Sequence, residues 1–427
     1  MVFLLVISLL ALLFASSSMP IAYALGLSAL LSAYIFIDLP IFLLAQKMVS
    51  GVNSFTLLAI PFFMLAANLM NEGGITTRIL SVFNGIFGAF RGALGLASVG
   101  ANMLLAGISG SAVADATATG SVLIPAMRKS EYPPAFAAAI CAVAAICGPI
   151  IPPSIPMVIY GVVARVSIIE LFVAGYIPGL MLGFSLLAYV WVVSRIRNFP
   201  AEGKVSLREI GSRIRHAALG LVMPVILIVG IFGGVFTITE LGAVLVIYAL
   251  LVAMLAYRTL DFKGLGSCLT SAALDTANVM FIIGISGFFA YLLVIEGVPN
   301  LVADYLQAHI SNPIIVLLVF NLVFLIAGMF LDSTPATIIL VPILLPIAVE
   351  FGVDPVHFGM IAVFNLMIGL VTPPVAMTLY ISARIAEVPI SRAIVETIPM
   401  FALLIVVLGL ITFVPELTLW LPRTLGY

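Results

Sequence analysis

Two short stretches of the chain interrupt a helix in the same way: GPIIPPSIPM at 148–157 and GLVTPPVAMT at 369–378. A proline in a helix interior costs about 3 kcal/mol, removes a donor and frees carbonyls. Inside an apolar run those carbonyls have no water to turn to. A hard cation such as Na⁺ would satisfy them, with nearby hydroxyl oxygens completing its shell. The first such site would combine Ser109 and Ser111 with the backbone at Gly148, Ile151 and Pro153. The second would combine the backbone near Gly328 with Gly369 and Thr372. A pair of ordinary proline kinks is the plain alternative. Against it, the two breaks stand in repeat register, and each pairs with a polar stretch in its own half.

Those polar stretches are GISGS at 107–111 and GMFLDSTPAT at 328–337. Each lies at the midpoint of a segment, 94–127 or 312–350, too long for one crossing and too broken for an ordinary pair. Both are expected to be re-entrant hairpins, since irregular backbone at membrane depth survives only where protein buries it or it lines a cavity. The tips are also helix starts. Ser109 or Ser111 can cap the first, and Thr334 the second, with Pro335 at the first helical position. Helix N-termini present bare N–H groups and partial positive charge. No Lys or Arg lies within either tip or either break. An anionic substrate would then be held by helix ends, hydroxyls and co-bound cations, with Ser109, Gly110, Ser111, Thr334, Thr372 and Pro373 as its contacts. The same residues could equally serve as caps alone. Asp115 and Asp332 are carboxylates at membrane depth, where such groups are expensive and usually functional. They could carry protons, assist the cation, or fix hairpin geometry by bonding nearby N–H groups.

The elements that position these residues follow from composition and period. The chain is 63% hydrophobic and 8% charged, against roughly 25% charged in soluble domains, which makes it a polytopic membrane protein. Full spans are expected at 2–17, 21–37, 53–72, 134–163, 170–194, 217–236, 241–257, 267–295, 357–383 and 394–420, with an interfacial helix at 75–91. The two halves repeat one another. DATATGSVLIP at 115–125 matches DSTPATIILVP at 332–342, Pro134 and Pro152 match Pro355 and Pro373, and Glu-Gly recurs at 72–73 and 296–297. The most polar stretch, 195–216, joins the halves.

Charge sets the orientation. With 195–216 placed in the cytoplasm by the positive-inside rule, fourteen of the 17 Lys and Arg residues fall inside. Only Lys47, Arg165 and Arg423 fall outside, and both termini come out periplasmic. Each half then has five spans, an odd number, so the repeats are inverted. The expected fold is all-α: an inverted repeat with two re-entrant helical hairpins and two discontinuous helices. Inverted repeats with broken helices are the signature of secondary transporters. The apolar N-terminus carries no positive charge before Lys47, so 2–17 is read as a span and not as a cleaved signal.

Other chemistries find little support. Cys141, Cys147 and Cys268 lie in apolar runs without a CxxC pair, and the three histidines have no metal-ligand spacing. No Walker A or strand-linked GxGxxG motif appears. A net charge of −1 leaves no footprint for nucleic acid. An intramembrane serine protease is the enzyme rival, because GISG at 107–110 resembles a nucleophile site. That chemistry needs a base, usually histidine, and the histidines lie in loops or at span ends. Within transport, a proton-coupled carrier using Asp115 or Asp332 and a gated channel are the rivals.

GISGSAVADATATG at 107–120, GPIIPPS at 148–154, LDSTPATIILVPILLPIA at 331–348 and GLVTPPV at 369–375 carry a family resemblance that covers essentially the whole chain. The chain resembles the large membrane subunit of tripartite ATP-independent periplasmic (TRAP) transporters. The resemblance implies an inner-membrane protein, not an enzyme, with no cofactor and Na⁺ as coupling ion. It implies uptake of an organic acid, in the sialic acid or C4-dicarboxylate class, delivered by a periplasmic binding protein. It implies a small four-helix membrane subunit, expected here as a separate chain. It also implies an elevator mechanism of the ion-transporter superfamily kind. The transport domain would be 94–163 with 267–383, and the scaffold 1–93, 164–266 and 384–427. The family's Na⁺ positions match Gly148, Ile151 and Pro153, and Gly328, Gly369 and Thr372. Ser109 and Ser111 have no hydroxyl pair at the equivalent offset in the second half, so the two sites are expected to differ in affinity.

Overall fold

A computed structural model describes Ile7 and residues 19–37, 40–203, 205–310 and 312–427. Among these every regular element is helical. The expected first span, 2–17, lies outside the described residues apart from Ile7. The first half holds α1 (Ile21–Phe36), α2 (Ile41–Val52), α3 (Ala59–Glu72) and α4 (Ile75–Phe87). The first hairpin follows as α5 (Ala93–Ser109) and α6 (Ala112–Lys129). The first broken helix is α7 (Pro134–Ala144) with α8 (Ile155–Ala164), and α9 (Ile168–Ile196) closes the half. The second half holds α10 (Leu207–Phe232), α11 (Ile238–Leu251), α12 (Phe262–Ile295) and α13 (Val298–His309). Its hairpin is α14 (Pro313–Phe330) and α15 (Ser333–Glu350), and its broken helix α16 (Pro355–Gly369) with α17 (Met377–Ala386). The last helices are α18 (Ile390–Phe413) and α19 (Glu416–Leu425). Eight of the described helices are long and apolar enough to cross a membrane.

The repeat runs deeper than the matching motifs. Glu72-Gly73 and Glu296-Gly297 end α3 and α12, and Gly74 and Gly297 both start the next helix at φ +67°. That backbone geometry favours glycine, which has no Cβ to clash. α13 is therefore the counterpart of α4, an interfacial helix expected only in the first half. The 34-residue α12 corresponds in the same register to α2 and α3 together. In the first half the chain breaks at Asn53-Ser54, where in the second it runs on. Both broken helices carry a cis peptide at the equivalent place, Pro152–Pro153 and Pro373–Pro374.

The halves interleave around the breaks. α17 packs on α6 and α7 of the first half, and α8 packs on α15 of the second. Gly359 of α16 leaves room for the Tyr160 ring, whose edge would lie 2.4 Å from a Cβ there. The Tyr160 hydroxyl donates to the Pro355 carbonyl at 2.6 Å. Packing also fixes the neighbours of the remaining long helices. α9, α18 and α19 adjoin the hairpins and broken helices. α12, expected on the hairpin side, lies against α1, α2 and α3 as well as α15. α5 faces α4, and α15 faces α12.

Candidate functional site

The first break shows how sequence sets geometry. Beyond Cys147 the prolines at 149, 152 and 153 offer no N–H, and the last helical bond runs from the Ile151 N–H to the Cys147 carbonyl at 2.9 Å. The Ser154 hydroxyl then caps α8, accepting from the Met157 N–H at 3.2 Å, and donates to the Pro149 carbonyl at 2.5 Å. The second break closes on the equivalent carbonyl: Leu370 accepts from the Thr378 hydroxyl at 2.9 Å and its N–H at 3.1 Å. Between these closures the carbonyls of Gly148, Ile151 and Pro153 accept no hydrogen bond from the described residues. All three residues are buried. Buried backbone oxygens without a partner are rare.

The first hairpin tip comes to meet them. Gly110 is left-handed at φ +59°, and a Cβ on it would lie 2.7 Å from the Pro153 carbonyl oxygen. Of the two expected caps, Ser111 takes the role, accepting from the Ala114 N–H at 3.4 Å. Ser109 is buried and accepts from the Ser111 N–H at 3.4 Å. One turn into α6, Asp115 points at the break: a Cβ on Gly148 would lie 2.3 Å from its Oδ2. That oxygen is buried and has no hydrogen-bond partner. The hairpin tip, with Ser109 and Asp115, thus lies against a break whose Gly148, Ile151 and Pro153 carbonyls are unpartnered among the described residues. The arrangement can coordinate a hard cation.

The second site is tighter. Gly328 of α14 and Gly369 of α16 meet backbone to backbone, and a Cβ on Gly369 would lie 2.2 Å from the Gly328 carbonyl carbon. The Thr372 hydroxyl donates to the Ile368 carbonyl at 2.7 Å, and the Gly369 carbonyl accepts from the Thr372 N–H at 3.0 Å. The carbonyls of Thr372 and Pro373 accept nothing from the described residues. At the second hairpin tip the expected cap is displaced. α15 begins at Ser333, so the N-cap position falls on Asp332 and Thr334 lies inside the first turn. Asp332 is the extended residue there, its side chain making no capping bond to the described residues, and Pro335 becomes the third helical residue instead of the first.

Between the two tips lies a cavity of about 870 Å³. Ser109, Gly110, Ser111 and Thr334 line it; Thr372 and Pro373 do not, their break contributing Leu370 and Met377. The opposite wall is polar in a way the sequence reading missed: Asn68 and Asn71 of α3, and Asp275 and Asn278 of α12. Asp275 was legible in principle, as the one acidic residue within 262–295. Among the described residues Asp275 and Asp332 are the charged residues of the lining, with no Lys, Arg or His. His357, the base the protease rival requires, is buried elsewhere. Its Nδ1 pairs with the Thr418 hydroxyl at 2.8 Å.

Comparison with known proteins gives the family. The model of the family described as tripartite ATP-independent periplasmic transporter, DctM component, matches residues 6–417. The chain belongs to that family. The sialic acid TRAP transporter large permease SiaM of Vibrio cholerae is 40% identical over 413 residues, covering 96% of each chain. The C4-dicarboxylate TRAP transporter large permease DctM of Pseudomonas aeruginosa is 40% identical over 403 residues, covering 94% of each. Among solved structures, the YdaH transporter of Alcanivorax borkumensis superposes with a TM-score of 0.61 at 15% identity, covering 92% of this chain and 90% of that one. This likeness bears on the fold alone. As a DctM component the chain is a multi-pass TRAP permease.

Proposed function

We propose that this DctM component carries an organic acid across the inner membrane by Na⁺ symport, both termini lying in the periplasm. The observation that carries the reading is the set of unpartnered oxygens at the first break, with the Asp115 carboxylate among them. A Na⁺ ion bound there satisfies groups that protein leaves bare. The cavity beside it has acidic residues and no basic ones, so an anionic substrate needs the co-bound cations and the hairpin N-termini to hold it. Substrate contacts fall to Ser109, Gly110, Ser111 and Thr334. The substrate class is that of the relatives, sialic acid or a C4-dicarboxylate. A periplasmic binding protein delivers it and a separate small membrane subunit completes the complex.

Alternating access moves one body against another. The mobile body is 93–196 with 313–425, and the frame is 21–87 with 207–309. Sliding takes place where α5 meets α4 and α15 meets α12. Proton coupling through Asp115 is the second reading, favoured by the absence of a hydrogen-bond partner on its Oδ2. Vesicles holding the chain and its small subunit, supplied with loaded binding protein, separate the two. An inward Na⁺ gradient drives uptake and a proton gradient alone does not; the reverse result sinks the proposal.

A further inference from the structure

A second cavity, of about 780 Å³, shares no lining residue with the first. Arg208, Gly211, Ser212, Arg215 and His216 of α10 line it together with Arg78 of α4. The α10 positions recur every three or four residues, so one face of the helix supplies them. Among the described residues no carboxylate lines the cavity. Arg213 beside it is paired with Glu209 at 2.8 Å, but Arg78, Arg208 and Arg215 make no ion pair among the described residues. Arg78 is held in place. Its Nη1 donates to the Gly74 carbonyl at 2.8 Å, and its guanidinium lies 3.9 Å from the centre of the Tyr257 ring. The Tyr257 hydroxyl in turn donates to the His216 carbonyl at 2.9 Å. Three uncompensated guanidinium groups around one cavity suit a phosphate, whose oxygens match their planar forks.

The position says what kind of phosphate. α10 is polar through His216 and apolar from Ala217 to Phe232, so the cavity stands where the helix enters the bilayer. Directly on the apolar side, Leu219, Leu251 and Leu255 are 40, 49 and 67% exposed. The Tyr248 hydroxyl, donating to the Leu219 carbonyl at 2.8 Å, ties α10 to α11 along this surface. A soluble phosphate has no use for an aliphatic strip beside its site, whereas a phospholipid does. Basic pockets between helices at this depth recognise acidic headgroups. The geometry points to a binding site for an anionic phospholipid, its phosphate among Arg78, Arg208 and Arg215 and an acyl chain along Leu219, Leu251 and Leu255. The site joins α4 to α10, both in the body that the hairpins pack against, so the lipid anchors that body in the membrane.

The test is titration of the detergent-purified full chain with phosphatidylglycerol and with phosphatidylcholine of identical chains, read by native mass spectrometry. Phosphatidylglycerol binds its first site tighter than phosphatidylcholine. Arg208→Gln with Arg215→Gln weakens it at least about tenfold, since each basic residue near an acidic headgroup contributes roughly fivefold. Phosphatidylcholine binding stays as it was. Gly211→Glu is the second variant. Among the described residues nothing lies within 4 Å of a Cβ at Gly211, so the added side chain starts in open space and brings negative charge to the cavity, and it produces the same selective loss. The inference is overturned if either variant binds phosphatidylglycerol as the unaltered chain does. It is also overturned if inorganic phosphate at about 10 mM displaces the lipid, which would make the cavity a site for a soluble anion.

Discussion

Asp115→Asn lowers the apparent affinity for Na⁺ in vesicle uptake at least about 100-fold while the protein stays folded. A charge pair about 4 Å apart at an effective dielectric near 20 is worth about 4 kcal/mol, and a factor of 100 asks for less than that. The fold survives because Asn fills the same space and the Asp115 Oδ2 makes no hydrogen bond to lose. Its new amide group faces the unpaired carbonyls of the first break, which accept it as they would a cation. Uptake at saturating Na⁺ and across a range of external Na⁺ measures the effect. An unchanged Na⁺ requirement would remove Asp115 from the site. Loss of a pH dependence with the Na⁺ requirement intact would move the account to proton coupling.

Gly369→Ala disrupts the second break outright. The added carbon would sit 2.2–2.6 Å from three backbone atoms of Gly328, and backbone has no rotamer with which to yield. Overpacking a well-filled interior typically costs 1–3 kcal/mol, and here the clash is with two helices at their closest approach, so about 3 kcal/mol or more is expected. The readout is the melting temperature and the yield of monodisperse protein. Gly409→Ala in α18 is the matched control: nothing lies within 4 Å of its Cβ, and the helix gains up to about 1 kcal/mol from the better helix former. Equal melting temperatures for the two variants would show that the glycine contact is not tight.

The hairpins and the broken helices were legible because each puts a residue where physics forbids it without a reason. Proline in a long apolar run and Asp115 or Asp332 at its centre are conflicts between local sequence and surroundings, and such conflicts gather at functional sites. The helices α2 and α13 were not legible from length, being too short to span. The repeat would have found α13, since Glu-Gly ends the preceding helix in both halves. Asp275 and Asn278 were passed over inside a run read only as a span, although an ionisable residue at that depth argues for function by default. The neighbours of the long helices were out of reach. Which helix α9 or α18 touches is decided by tertiary packing, and their sequences are apolar on faces that either body could bury. Thr334 was misplaced for a local reason: Asp, Ser and Thr in LDST are all good caps, and sequence alone does not choose among them.

The central claim is that the broken helices hold Na⁺, and the most direct measurement needs no substrate. The melting temperature of the detergent-purified chain is followed against NaCl, with KCl and choline chloride holding ionic strength constant. A ligand that binds only the folded state stabilises it by about 2.7 kcal/mol at 100 times its dissociation constant. The account predicts a saturable rise with Na⁺ that K⁺ and choline do not produce and that Asp115→Asn weakens and shifts to higher Na⁺. A melting temperature that responds alike to all three salts would contradict it.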